Sequence, residues 1–132
     1  MAILVLLFCL LVASCGGGGG APPPTGPTGP ANPNTFTLTA TGVIPKDMTV
    51  SPGTRVLFVN KDSRRHDMAS DPHPEHDAEG CGGINRVGVL NPGVSQETLN
   101  MVVVRTCGFH DHDNPPLTTQ AGNTWTGRII IQ

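Results

Sequence analysis

The sequence predicts an all-β sandwich over residues 35–132, and three observations point to it. Apolar and polar residues alternate in short runs: in "TFTLTAT" (35–41), Phe36, Leu38 and Ala40 share one face and threonines the other. Gly (17) and Pro (13) punctuate such runs and favour turns over helices. No stretch holds a helical period, and no segment repeats.

The chain opens on "AILVLLFCLLVAS" (2–14), an uncharged apolar run ending in small residues. It is shorter than the roughly 20 apolar residues of a transmembrane helix. It is expected to be the hydrophobic region of an export signal spanning 1–14. "VASC" (12–15) resembles a bacterial lipobox, although no Lys or Arg precedes the apolar run. That resemblance implies that Cys15 is lipidated and becomes the new N-terminus. A plain secretory signal cut near Ser14 is the alternative. Several acyl chains hold a protein on a membrane where one would not. The expected location is therefore the cell envelope, with the domain anchored through Cys15 and facing the periplasm or the exterior.

"GGGGGAPPPTGPTGPANPN" (16–34) carries no charge and almost no large side chain. It cannot offset its ordering entropy, so 15–34 reads as a tether behind Cys15. Residues 35–132 then form a single domain with a modest core.

Within that domain, "DMTVSPGTRVLFVNKD" (47–62) places a Ser51-Pro52-Gly53 turn between a short strand and a stronger one at Arg55–Asn60. "RRHDMAS" (64–70) predicts another short strand, and residues 71–83 an irregular excursion. The Asn91-Pro92-Gly93 turn precedes a strand expected at about 97–106, and "TWTGRIIIQ" (124–132) closes the domain. Net charge is −2 with no basic patch, which argues against nucleic acid as a partner.

All five histidines, at 66, 73, 76, 110 and 112, fall in one third of the chain, with Cys81 and Cys107 among them. Imidazole and thiolate are ligands for copper and zinc. In an exported setting two thiols also suggest a disulfide, here Cys81–Cys107, worth about 2–4 kcal/mol. The two readings compete for the sulfur of Cys107; the thiolate ligand is the expectation, since His66 and His110 stand at matched spacing, and the disulfide is the alternative.

"VSPGTRVLFVNKDSRRHDM" (50–68) resembles the plastocyanin-like cupredoxins, in which a Ser-Pro-Gly turn opens a strand that ends in Asn and the first copper histidine follows. "LNPGVSQETLNMVVVRTCGFH" (90–110) resembles the later half of that family, and "TGRIIIQ" its last strand. The resemblance implies a Greek-key cupredoxin sandwich binding copper through His66, Cys107 and His110, with Cys107 ending a strand and His110 on the adjoining loop. It implies an electron carrier rather than an enzyme, working as a monomer with redox partner proteins. Phe109 is expected to help exclude water from the metal. Where that family has an axial Met, five residues after the second His, this chain has Pro115. His112 and Met68, each two residues from a ligand position, are the axial candidates. His73 and His76 are expected to face solvent or to form a secondary copper or zinc site.

Three other functions stay in view. The extra histidines suit a copper capture or delivery protein. "GFHDH" (108–112) resembles the Gly-Phe-His-x-His element of copper/zinc superoxide dismutases, although no His or Asp follows Asp113. A copper-free, disulfide-stapled interaction domain is the fourth.

Overall fold

Nine strands lie among the described residues, 32–76, 78–113 and 124–132, of the computed structural model. They are β1 (Thr35–Thr39), β2 (Gly42–Ile44), β3 (Asp47–Val50), β4 (Leu57–Asn60), β5 (His66–Ser70), β6 (Gly88–Leu90), β7 (Ser95–Glu97), β8 (Arg105–Asp111) and β9 (Thr126–Ile131). One sheet has the order β2-β1-β4-β7 and the other β3-β9-β8-β5-β6. The pairs β1–β4 and β3–β9 are parallel and the remaining pairs antiparallel. Parallel neighbours cannot be joined by tight hairpins, so the chain crosses between the sheets. The expected all-β sandwich is observed. Cys15, the signal expected at 1–14, most of the tether and Pro115 lie outside the described residues. Asn34, assigned to the tether, already accepts a hydrogen bond from the Leu57 amide at 2.8 Å.

Alternation decides which side chains form the core. On β1, Phe36 and Leu38 are buried and the threonines between them are not; on β4, Phe58 and Asn60 turn inward. Phe109 enters from β8 and meets Phe36 and Phe58 with ring centroids 4.8 and 5.0 Å away. These three rings, two from one sheet and one from the other, tie the layers together. Edge-to-face contacts of this kind add about 0.5–1.5 kcal/mol per pair beyond burial. Gly127 lies opposite Phe109 on β9, and a Cβ there would come within 2.5 Å of the phenyl ring. Phe109 was expected beside a metal. It is instead fully buried between the sheets.

The largest departure from the sequence reading falls at 97–106. The apolar, β-branched run there predicts a strand, yet β7 stops at Glu97 and β8 begins at Arg105. Between them Met101 plugs the core through a bridge to Thr54, while Val102, Val103 and Val104 are 62%, 40% and 67% exposed. Strand propensity records how well a side chain fits a half-buried pleat, and it yields where no partner strand is available. β8 starts later than expected and runs further, through Asp111.

The excursion after β5 folds back over the sheet. Cys81 is bonded to Cys107 across 26 residues, just before a 3-10 helix at Gly82–Arg86 that buries Ile84. The thiolate expected at Cys107 is overturned, and the alternative, the disulfide, is what the structure holds.

Candidate metal centre

Side chains alternate faces along a strand, and β8 carries both groups once expected to share a metal. Cys107, Phe109 and Asp111 point toward the core. Gly108 and His110 point to the outer face, where His110 pairs with Ala69 of β5. A thiolate and an imidazole three residues apart can converge only if the strand ends between them. Here it continues to Asp111, and the two diverge.

His66 faces the core with Met68 and Ser70. Both of its ring nitrogens are engaged: Nδ1 lies 2.8 Å from Asp111 Oδ2 and Nε2 3.2 Å from Asp62 Oδ2. Arg64 grips the same Asp62 oxygen at 2.7 and 2.9 Å and lays its guanidinium over Trp125, 4.6 Å from the ring centroid. The Arg64 guanidinium holds Asp62 at about 2, against a usual 3.8; burial opposes this, and hydrogen bonds from the Arg64 amide, His66 and the Ser63 amide add to it. A hydrogen-bond network of His66 with Asp62 and Asp111, joined by the Arg64–Asp62 ion pair, thus stands at the position of the first expected copper histidine.

The set His66, Cys107 and His110 is accordingly corrected. Cys107 carries a disulfide, and His66 is saturated by carboxylates on the opposite face of the sheet from His110. Met68 is buried on that same core face, away from His110. Of the expected donors, only His110 and His112 lie on the outer side.

There the fold gathers a different group. One ring nitrogen from each of His73, His76 and His110 lies within 4.8 Å of the others. The His112 ring centroid is 5.1 Å from that of His73 and 4.9 Å from that of His76. Two segments supply the four rings. The end of β8 gives His110 and His112, and the loop after β5 gives His73 and His76.

Two of the rings are pinned. His110 is fully buried, and its Nδ1 lies 2.6 Å from Asp71 Oδ1. A carboxylate only accepts, so Nδ1 carries the proton and Nε2 the lone pair. His76 Nδ1 donates to the Ser70 carbonyl at 2.8 Å, with the same result. The His76 backbone is left-handed, at φ 56, a conformation uncommon outside glycine. It is held there by hydrogen bonds to its carbonyl from Ser70 Oγ at 3.0 Å and Asn85 Nδ2 at 2.9 Å. The Nε2 atoms of both His76 and His110 are buried with no hydrogen-bond partner among the described residues. An unpaired buried polar atom costs about 1–3 kcal/mol, so each calls for a ligand.

The other two rings meet solvent. His73 is exposed, and desolvation, then repulsion from His110, His112 and His76, holds it below the ordinary histidine range while Glu75 opposes. A low value favours the neutral ring that binds metals. His112 Nδ1 is 3.9 Å from Asp67 Oδ2.

A thiolate copper centre does not fit these residues, because among the described residues no free thiol belongs to the cluster. An imidazole centre does fit, with three clustered ring nitrogens and hydrogen bonds at Nδ1 of His76 and His110 fixing those two rings. Metal–nitrogen bonds of about 2.0–2.1 Å need the rings somewhat closer than the observed 4.8 Å limit. The sequence signal for His73 and His76 was their place in the histidine cluster. Nothing in the sequence marked Asp71.

No family model matches the chain, and no curated protein matches it. Solved structures do. A purple cupredoxin from Nitrosopumilus maritimus aligns at TM-score 0.50 and 16% identity, over 74% of this chain and 98% of that one. Amicyanin from Paracoccus versutus aligns at 0.54 and 14%, over 80% and 86%. A plastocyanin from Dryopteris crassirhizoma aligns at 0.53 and 14%, over 74% and 99%. The fold is that of the cupredoxins. Cys107, the residue expected to supply a thiolate, is bonded to Cys81 instead.

Proposed function

We propose that this cupredoxin-like domain binds copper through His73, His76 and His110, with His112 as a fourth donor, and that it captures and delivers the ion in the cell envelope. The observation that carries the reading is that His76 and His110, which each bury an Nε2 without a hydrogen-bond partner among the described residues, bring ring nitrogens within 4.8 Å of each other and of His73. Imidazole accepts both copper oxidation states, and copper(II) stands highest among the divalent ions such donors bind. Bound copper would supply a redox-capable Lewis acid. His110 and His76 hold the ion from the protein side. The exposed His73 and His112 leave a face through which it can be exchanged. Export and a lipid anchor on Cys15 would set this domain off the membrane.

Single-electron transfer to partner proteins is the second reading. It is favoured by the pinned rings, which keep their geometry when the ion's charge changes, and by the oxidised and reduced plastocyanin structures among the fold's neighbours.

Titration with copper(II) tests both. One ion should bind per chain, with a weak visible spectrum, nitrogen couplings in electron paramagnetic resonance and no intense sulfur-to-copper band. His110→Ala should weaken binding by more than about 100-fold, beyond the range for a residue outside the ligand set. Rapid loss of the ion to a chelator supports delivery; a retained ion with a reversible one-electron wave supports electron transfer. An intense sulfur-to-copper band, or affinity indifferent to His110, sinks the imidazole site.

A further inference from the structure

Asp71 is the first residue after β5, and its carboxylate lies over the outer face of β8. Its amide donates to the Gly108 carbonyl at 3.0 Å, and its Oδ1 reaches His110 Nδ1 at 2.6 Å. Gly108 makes this possible. A Cβ at that position would sit 2.1 Å from Asp71 Oδ2, so any side chain there would displace the carboxylate. Gly108 and His110 stand on the same face of β8, two residues apart. The absence of one side chain thus makes the room in which the other is gripped.

We propose that Asp71 is a positioning residue that sets the oxidation-state preference of the histidine site toward copper(II). This rests on the copper reading above. Two effects act in one direction. The carboxylate accepts a hydrogen bond from Nδ1–H and so raises electron density at Nε2, the buried ring nitrogen left without a partner among the described residues. Its negative charge also attracts the bound ion, and that attraction scales with the ion's charge, so copper(II) gains twice what copper(I) gains. His76 has no such partner, because its Nδ1 donates to a neutral carbonyl. Asp71 is therefore the one carboxylate within hydrogen-bonding distance of a ring nitrogen of the three clustered histidines among the described residues. Its side chain is about half exposed, at 47%, so water screens part of the effect.

The test is Asp71→Asn, which keeps size and a hydrogen-bond acceptor for His110 but removes the charge. The full exported domain is titrated with copper(II) against a competing chelator, and anaerobically with copper(I) against a copper(I)-specific one. Copper(II) affinity should fall by about 10- to 100-fold, copper(I) affinity by less, and their ratio by at least several-fold. Nitrogen NMR of the metal-free protein should show His110 still protonated at Nδ1, which separates loss of charge from loss of orientation. Gly108→Ala, which keeps the charge but displaces it, should shift the ratio the same way. A wild-type ratio in either variant, or equal losses for both oxidation states, overturns the role of Asp71. If the wild-type protein takes up copper with an affinity that His110→Ala does not change, the copper site itself falls and this inference with it.

Discussion

His66 and His110 are both fully buried histidines hydrogen-bonded to carboxylates, on neighbouring strands of one sheet. They differ in what the second ring nitrogen meets. His66 faces the core, and its two nitrogens end on Asp111 and Asp62. His110 faces outward, and its second nitrogen has no hydrogen-bond partner among the described residues. The first arrangement is complete without a ligand and contributes to the fold. The second is incomplete and calls for one. Burial alone does not separate a structural histidine from a binding one; accounting for both nitrogens does.

That contrast can be broken experimentally. His66→Ala strands two buried carboxylates without their imidazole, and breaking such a network costs about 3–5 kcal/mol. Thermal melting should fall by more than about 12 °C, while the folded fraction keeps its copper affinity. The opposite pattern, lost copper with an unchanged melting temperature, would move the metal to the core face.

The disulfide sharpens the comparison next. It fastens the far end of the loop that carries His73 and His76 to β8, the strand that carries His110. Replacing Cys81 and Cys107 together by Ala should cost about 2–4 kcal/mol in denaturant unfolding. It should also weaken copper binding, since two donors lose their anchor. Stability lost without any change in affinity would show that the loop is fixed by Ser70 and Asn85 alone.

The smallest effect concerns acid. Asp62 is held at about 2 rather than 3.8 chiefly by Arg64. A depressed carboxylate stabilises the fold at pH above its unfolded value, and that share is lost as protons bind. Melting temperature should therefore drop as pH falls from 3.8 toward about 2, and Asp62→Asn should flatten the profile in that window. Equal slopes for the two proteins would remove Asp62 from the network.

Much of this molecule was legible beforehand. Alternation in "TFTLT" placed Phe36 and Leu38 inward, and the Gly- and Pro-rich turns announced a sandwich. The crowding of five histidines announced a metal-capable region. The two-residue spacing of His110 and His112 put them on one side, near the same partners. The donor set was misjudged because of a strand boundary. With a strand ending at Cys107, the thiol and His110 could converge; with β8 running to Asp111, they cannot. The valines at 102–104 drew the expected strand several residues too early.

Residue order settled the class of fold and the supply of imidazoles and thiols, because strand periodicity and donor chemistry are local properties. Which donors meet was settled by folding alone. The face a side chain occupies flips with every residue of strand. The loop carrying His73 and His76 was placed by contacts with Gly108 and Cys107, more than twenty residues further along the chain.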